Sequence, residues 1–401
     1  MRLLRLAKSC GCSYSRYADD ITFSTCKKEF PLTIVKSPEP LELGRKLIGE
    51  IRRAGFSVNV LKTRLQYKDS RQEATGLVVN RKVSVKSEYW RLVRAMAFRL
   101  FKKGEFEILD VDGEPRVGTL NELEGRLAFI DAIDRYNNIV ARRRPKAPWG
   151  TIKHVGLNAF KGRHNSREAV YSRFLFYKYF YASEYPTILT EGKTDNVYLK
   201  SALSELQGTY PSLVSKKGPG KAYSPKLKFP KLNKRTMYLL DLGDGATPFA
   251  RFVQRYETEL AYFHGKKATS PTILVLDNDS GPSELLNELK KPKYKSCPNS
   301  VPDIKKSGFL HIFENLYIIP TPLRANGKDS MMEDLFDAKT LATTINGKTF
   351  STMSSFDTAK HYGKHVFSTA VVRSSKSTIN FDRFKYIFDE IEKVKAHFAK
   401  L

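Results

Sequence analysis

The run Thr272, Ile273, Leu274, Val275, Leu276, followed at once by Asp277, Asn278 and Asp279, is the strongest constraint this chain places on its own fold. Five β-prone residues with no polar face predict a strand buried on both sides. In an extended chain residues two apart point the same way, so both aspartates face one side of the strand end. Three other segments repeat the layout. Residues 187–190 read as a short buried strand ending in Glu191, Gly192, Lys193, Thr194 and Asp195. A helix then begins, capped by Thr194 or Asp195, with Leu199, Ala202, Leu203 and Leu206 on one face. Residues 237–240 form a β-prone run ending in Asp241, Gly243, Asp244 and Gly245, and residues 315–319 form another leading to Pro320. Strands alternating with helices predict a mostly parallel α/β sheet with helices on both faces. Carboxylates at its carboxyl edge sit where such sheets bind ligands, and suit a divalent cation.

The N-terminal third carries a different acidic feature. Tyr17, Ala18, Asp19 and Asp20 lie between Arg16 and the short run Ile21, Thr22, Phe23. Adjacent carboxylates at the tip of a hairpin can grip the metal ions that activate a 3′-hydroxyl and hold a triphosphate. A metal pair of this kind needs a further acidic residue from another strand, and only eighteen residues precede Asp19. Downstream, residues 41–54 show helical spacing (Leu43, Leu47, Ile51) closed by Gly55. Residues 56–60 predict a strand before Lys62 and Arg64, and residues 71–80 a β-prone run around Gly76. Residues 89–101 return to a helical period, with Trp90, Val93, Ala97, Leu100 and Phe101 on one side and Arg91, Arg94, Arg99 and Lys102 mostly on the other. The basic face is expected to contact a nucleic-acid backbone; a solvated face is the ordinary alternative.

Charge agrees with that expectation. The 401 residues suggest two or three domains, and 69 Lys and Arg against 42 Asp and Glu leave +27, a surplus that favours a polyanion through counterion release. No apolar stretch reaches eighteen residues and no secretion signal opens the chain, so a cytoplasmic protein without a membrane partner is expected. Cys10, Cys12, Cys26 and Cys297 are too few and too badly spaced for a disulfide framework or a zinc site. Residues 142–149 (RRRPKAPW) form a basic break. Residues 174–185 hold seven aromatic residues, more consistent with a buried helix than with base stacking. The segment 216–235, beginning with Lys216 and Lys217, reads as a flexible basic arm or a solvated loop.

Four ordered landmarks then amount to a resemblance. YSRYADDITFS (14–24), GFSVNVLKTR (55–64), RQEATGLVVN (71–80) and YWRLVRAM (89–96) resemble bacterial retron reverse transcriptases over roughly residues 1–140. The resemblance implies that Asp19 and Asp20 are the metal-binding pair of the palm. It implies that Lys62 is the palm lysine that protonates leaving pyrophosphate, although a plain surface lysine is the alternative. Those enzymes usually carry Val-Thr-Gly where this chain has Ala74, Thr75 and Gly76, a swap expected to keep the fold and adjust the hold on template RNA. The family's fingers and first catalytic aspartate would precede Met1, so the chain is expected to be a C-terminal piece that does not synthesise DNA efficiently alone.

The strand-end Glu-Gly followed by a strand-end Asp-x-Asp resembles the Toprim domain shared by topoisomerases, primases and the overcoming-lysogenization-defect nucleases, over about residues 185–370. This implies Glu191 as acid/base or metal-bridging carboxylate and Asp277 and Asp279 as ligands of Mg²⁺, with Mn²⁺ as a substitute. Glu333 or Asp334 in SMMEDLF (330–336) would be the second-metal ligand, and Lys364 the late lysine of the nuclease branch; helix capping and plain exposure are the alternatives. The expected architecture is α/β and α+β multidomain: palm (1–82), thumb (83–145), connecting helix (146–184) and a Toprim nuclease with a Rossmann-like parallel sheet (185–401). Together the resemblances imply a retron reverse transcriptase fused to an antiphage nuclease. Its partners would be a noncoding RNA, the RNA-linked single-stranded DNA made from it and a nucleic-acid substrate, with a homo-oligomer plausible. A nucleic-acid-binding scaffold with a silent Toprim module is the competing expectation.

Overall fold

The structure, a computed structural model, describes residues 2–143, 164–215, 224–243, 247–265, 267–353 and 355–401. The chain divides into two compact units, one of Met1–Val93 with Arg126–His154, the other of Arg94–Gly125 with Val155–Leu401. Most of the 142–149 break, the residues Asp244 and Gly245, and the start of the basic arm with Lys216 and Lys217 lie outside the described residues.

The second unit is organised by a four-stranded sheet in the order Leu310–Phe313, Leu316–Pro320, Thr272–Leu276, Thr187–Thr190. Thr272–Leu276 runs parallel to both its neighbours, and only the edge strand Leu310–Phe313 is antiparallel. All five residues of the central strand are buried. Alternation divides them between two cores. Ile273 and Val275 join Ile188, Tyr317 and Ile319 under the helices Asp195–Glu205 and Lys385–Phe398, where Leu199, Phe384, Phe388 and Ile391 are fully covered. Thr272 faces the other way, and its hydroxyl donates to the Phe180 carbonyl at 3.3 Å. There the helix Ser166–Phe176 and the π-turn Tyr177–Tyr181 carry the aromatic-rich segment. Phe176 packs against Phe180, Phe252 and Tyr256 with ring centroids 5.0–5.8 Å apart. The aromatics are therefore core; Phe174, Phe176 and Phe180 are fully buried.

One expected strand is a helix. Residues 237–240 belong to Lys234–Leu240, a helix started by Asn233, whose side chain accepts from the Arg235 and Thr236 N–H groups. Its run contains no β-branched residue except Thr236, and the Ser172 hydroxyl bonds the Leu239 carbonyl, tying the helix to Ser166–Phe176 rather than to the sheet.

In the first unit the antiparallel hairpin Ser13–Tyr17/Asp20–Ser24 pairs Tyr17 with Asp20 across a two-residue turn. Tyr14 and Phe23, opposite each other in register, meet as tilted rings with centroids 5.5 Å apart and pack on a small core of Leu6, Ile34, Leu47 and Ile51. The predicted 41–54 helix is shorter, Arg45–Arg53, because Leu41–Leu43 pairs with Val35–Pro38 as a hairpin; Gly55 closes it at φ +85°. The predicted strand over 56–60 does not form. Asn59 closes a turn instead, its carbonyl accepting from the Lys62 and Thr63 N–H groups, and no strand among the described residues pairs with it. The 71–80 run is the hairpin Glu73–Ala74/Leu77–Val78, with Thr75 and Gly76 both at positive φ, the conformation a two-residue turn demands. The last landmark lies in a long helix, Ser87–Lys103.

Asn315 joins the sheet to the aromatic layer. It is 1 % exposed, donates to the Phe180 and Ser270 carbonyls at 2.8 and 2.9 Å, and accepts from the Tyr256 hydroxyl at 2.9 Å. Asn315→Leu removes three buried hydrogen bonds and leaves the Ser270 carbonyl without this donor, so urea unfolding of the second unit is expected to show a loss of about 2–4 kcal/mol. An unchanged midpoint would refute this role.

Candidate active site

The parallel register fixes the site. Val275 pairs with Thr190, so one step further along places Glu191 opposite Leu276, next to Asp277. Chain beyond the sheet completes the enclosure. Asn278 is buried and held by Ser330, whose carbonyl accepts its N–H at 2.8 Å, and by Thr321, which brings the turn Met332–Leu335 against the strand end. The Met332 N–H then donates to Asp277 at 2.8 Å.

Five carboxylates converge here. Burial, then the neighbouring Asp277 and Asp279, pushes Glu191 up from 4.5 to about 7. Burial, then Asp195 and Glu333, pushes Asp277 up from 3.8 to about 7. Asp195, 5 % exposed, is raised likewise to about 7 by burial and then Glu333. Glu333 is 2 % exposed and receives the Tyr198 hydroxyl at 3.3 Å and the Lys364 ammonium at 2.9 Å. Burial alone would lower Lys364, but the Glu333 carboxylate reverses this and its pKa is raised. Asp334 points elsewhere: both its oxygens meet the Arg324 guanidinium, and one also takes the Met331 N–H.

Two members were not anticipated as parts of the site. Asp195 was read as a helix cap, yet the N-terminal position has no side-chain cap, and Asp195 instead accepts the Gly192 N–H at 2.8 Å. Gly281 donates its N–H to Asp279 at 2.7 Å, and a Cβ there would come within 3.0 Å of Asp279 and 3.3 Å of Glu191. Its backbone thus sits against both carboxylates. The signal for Asp195 was its four-residue spacing from Glu191, one helical turn on from a strand end.

The donor chemistry suits a hard divalent cation: the available groups are carboxylate oxygens, and Glu191 Oε2 is buried with no hydrogen-bond partner. Among the described residues, no group of three or more His, Cys, Asp or Glu side chains is drawn together tightly enough to hold an ion as it stands. The site is a charge cluster with Lys364 as its cation, not a closed ligand cage.

The remaining sequence-predicted residues lie in or beside the first unit's hairpins and on the helix Ser87–Lys103, which belongs to the second unit from Arg94 onward. Asp19 sits in the turn and Asp20 opens the returning strand; both are exposed, and Arg16 Nε bonds the Ala18 carbonyl at 2.5 Å, holding the tip. Lys62, Thr75, Gly76, Arg91 and Arg94 are exposed. Beneath the 73–78 hairpin the Glu73 side chain, 4 % exposed, receives Lys86 and Arg71 at 2.8 Å and Arg64 at 3.3 Å. Sequence reading did not single out this anchor.

The protein is 37% identical over 140 residues to the retron Mx162 reverse transcriptase of Myxococcus xanthus, and 31% identical over 148 residues to the retron Mx65 reverse transcriptase of the same organism. Over about a third of its length, its homologues are retron reverse transcriptases. The matches cover 33% and 36% of this chain and span 27% and 30% of those relatives. No family profile and no solved structure matches the chain. No helix among the described residues is long and apolar enough to cross a membrane.

A carboxyl group whose folded pKa lies above its unfolded value binds its proton more tightly when folded, so it stabilises below the unfolded pKa and loses that contribution as pH rises to the folded one. For the Glu191, Asp195 and Asp277 cluster the window runs from about 4 to about 7. In chelator the melting temperature of the second unit is expected to fall across that window. Glu191→Gln and Asp277→Asn should each melt higher than the parent at pH 8 and no higher at pH 4. Equal melting at pH 8 would refute the repulsion.

Proposed function

We propose that the chain is part of a retron reverse transcriptase fused to a Toprim-type, metal-dependent nuclease that acts in antiphage defence. Support for the polymerase part is the homology to retron reverse transcriptases together with the exposed Asp19–Asp20 hairpin tip. In this reading the pair holds Mg²⁺ in the palm and Lys62 serves the leaving pyrophosphate. Thr75, Gly76, Arg91 and Arg94 contact nucleic acid. The partners are a noncoding RNA and the single-stranded DNA linked to it.

One observation carries the nuclease part: Glu191, Asp195, Asp277 and Asp279 gather at the carboxyl edge of a parallel sheet, where burial and mutual repulsion outweigh the nearby Lys364 for Glu191, Asp195 and Asp277, and Glu191 Oε2 is left without a partner. Glu191, Asp277 and Asp279 would hold Mg²⁺ or Mn²⁺, with Glu333 as a further ligand. Such an ion supplies an activated water and stabilises the leaving oxygen of a phosphodiester. Asp334, engaged by Arg324, contributes by fixing the 332–335 turn. Lys364 neutralises Glu333 and places a proton donor at the cluster. The +27 surplus supplies general attraction for polyanions.

A second reading, a nucleic-acid scaffold with a silent Toprim module, is favoured by the Lys364–Glu333 ion pair and by the lack of a preformed metal group among the described residues. Calorimetric titration with Mg²⁺ separates the two: carboxylate-dependent binding that disappears in Asp277→Ala supports the nuclease, and no binding supports the scaffold. With the intact system and its noncoding RNA, Asp277→Ala with Asp279→Ala is expected to reduce metal-dependent cleavage about 100-fold or more. Asp19→Ala with Asp20→Ala should abolish RNA-linked DNA. Undiminished cleavage in the first variant, or undiminished DNA in the second, would refute the corresponding half.

A further inference from the structure

Beside the carboxylate cluster lies a cavity of about 270 Å³ whose wall includes Glu191 and Gly192. Its lining combines two unlike surfaces. Lys193, Lys200, Lys231 and Arg373 bring four cations to it from three separate segments, while Leu232, Leu242 and Phe249 give it an apolar floor. Among the described residues, Glu191 is the one acidic side chain in the lining. The cations are crowded. Burial and then the like charges of Lys231 and Arg373 lower the pKa of Lys200, whose ammonium lies 5.0 Å above the Phe229 ring. Grouping like charges around a cavity gives it a positive potential that attracts an anion. In addition, Asn196 in the lining has a buried Oδ1 without a hydrogen-bond partner.

The volume falls just below the usual range for small-molecule pockets, about 300–1,000 Å³, and is far too small for a duplex. An apolar floor suits a base or sugar, and a cationic rim suits a phosphate. We propose that this pocket takes a single phosphorylated nucleotide, its phosphate among Lys200, Lys231 and Arg373 and its base on the apolar floor, directly beside Glu191. The proposal deepens the hydrolytic reading, on which it rests for placing the reacting phosphodiester next door. It would make the site one that grips a strand by a phosphorylated unit rather than by duplex shape.

Binding can be measured in chelator, where no cleavage occurs, using the full chain and short thymidine tetranucleotides with a 5′-phosphate, a 3′-phosphate or neither. At least one terminal phosphate is expected to tighten binding about tenfold. Lys200→Gln and Arg373→Gln, made separately, should each remove that preference, whereas Lys295→Gln, an exposed cation outside the lining, should keep it. No preference for either phosphate, or a preference that survives both pocket variants, overturns the proposal. Thymidine monophosphates identify the source: competition equal to that of the tetranucleotide assigns the pocket to a free nucleotide, and weaker competition assigns it to a strand. A protein that shows the preference but never cleaves nucleic acid refutes the hydrolytic reading and leaves the pocket standing. One that cleaves without the preference refutes the pocket alone.

Discussion

Withdrawing several carboxylates from water at one sheet edge is the constraint around which the second unit is arranged. The central strand Thr272–Leu276 is paired on both sides and buried along its whole length, which holds the half-buried Asp277 at the sheet edge. Each carboxylate is given part of what water would have supplied. Met332 donates to Asp277, Gly192 to Asp195, Gly281 to Asp279 and Lys364 to Glu333. These contacts do not balance the burial and repulsion, which is why Glu191, Asp195 and Asp277 are all raised to about 7. Structural ion pairs ordinarily settle with acids lowered, as at Glu288, brought to about 2 by Lys291, Gln254 and Lys293 against the opposing effect of burial. A cluster that settles the other way retains an unmet demand for positive charge.

That demand separates the two acidic features of the chain. Asp19 and Asp20 project from a hairpin tip into solvent, where water meets their charge and the fold need not compensate for it. Among the described residues, the tight turn and the Arg16 contact hold this tip. The Glu191 cluster, in contrast, dictates the sequence around it: glycine at 281, where a Cβ would crowd two carboxylates, and a lysine beside Glu333.

The strand ends were legible because a buried strand is written in a run of β-prone residues, and the residue after it must fall at the sheet edge; Glu191, Asp277 and Asp279 followed directly. Asp195 was not, because a helix-capping aspartate and one turned back toward the preceding strand look alike until the loop is closed. The same holds for choosing between Glu333 and Asp334. Adjacent residues on a short helical turn point to different surroundings, and only the position of Arg324, ten residues upstream, determines which one faces outward. Residues 237–240 misled because four apolar residues fit either a strand or a buried helix, and the deciding signal was Asn233, outside the run. Residues 56–60 failed for a related reason: a strand exists only if another lies beside it, and pairing is not local information.

The cavity at Glu191 gives the cluster's charge a direction. Glu191 belongs to two settings: the acids Asp277 and Asp279 that repel it, and the lining of a cavity that also holds Lys193, Lys200, Lys231 and Arg373. On the proposed reading, a phosphate held by these cations would lie beside Glu191, and it could approach the acids only where a positive ion intervenes.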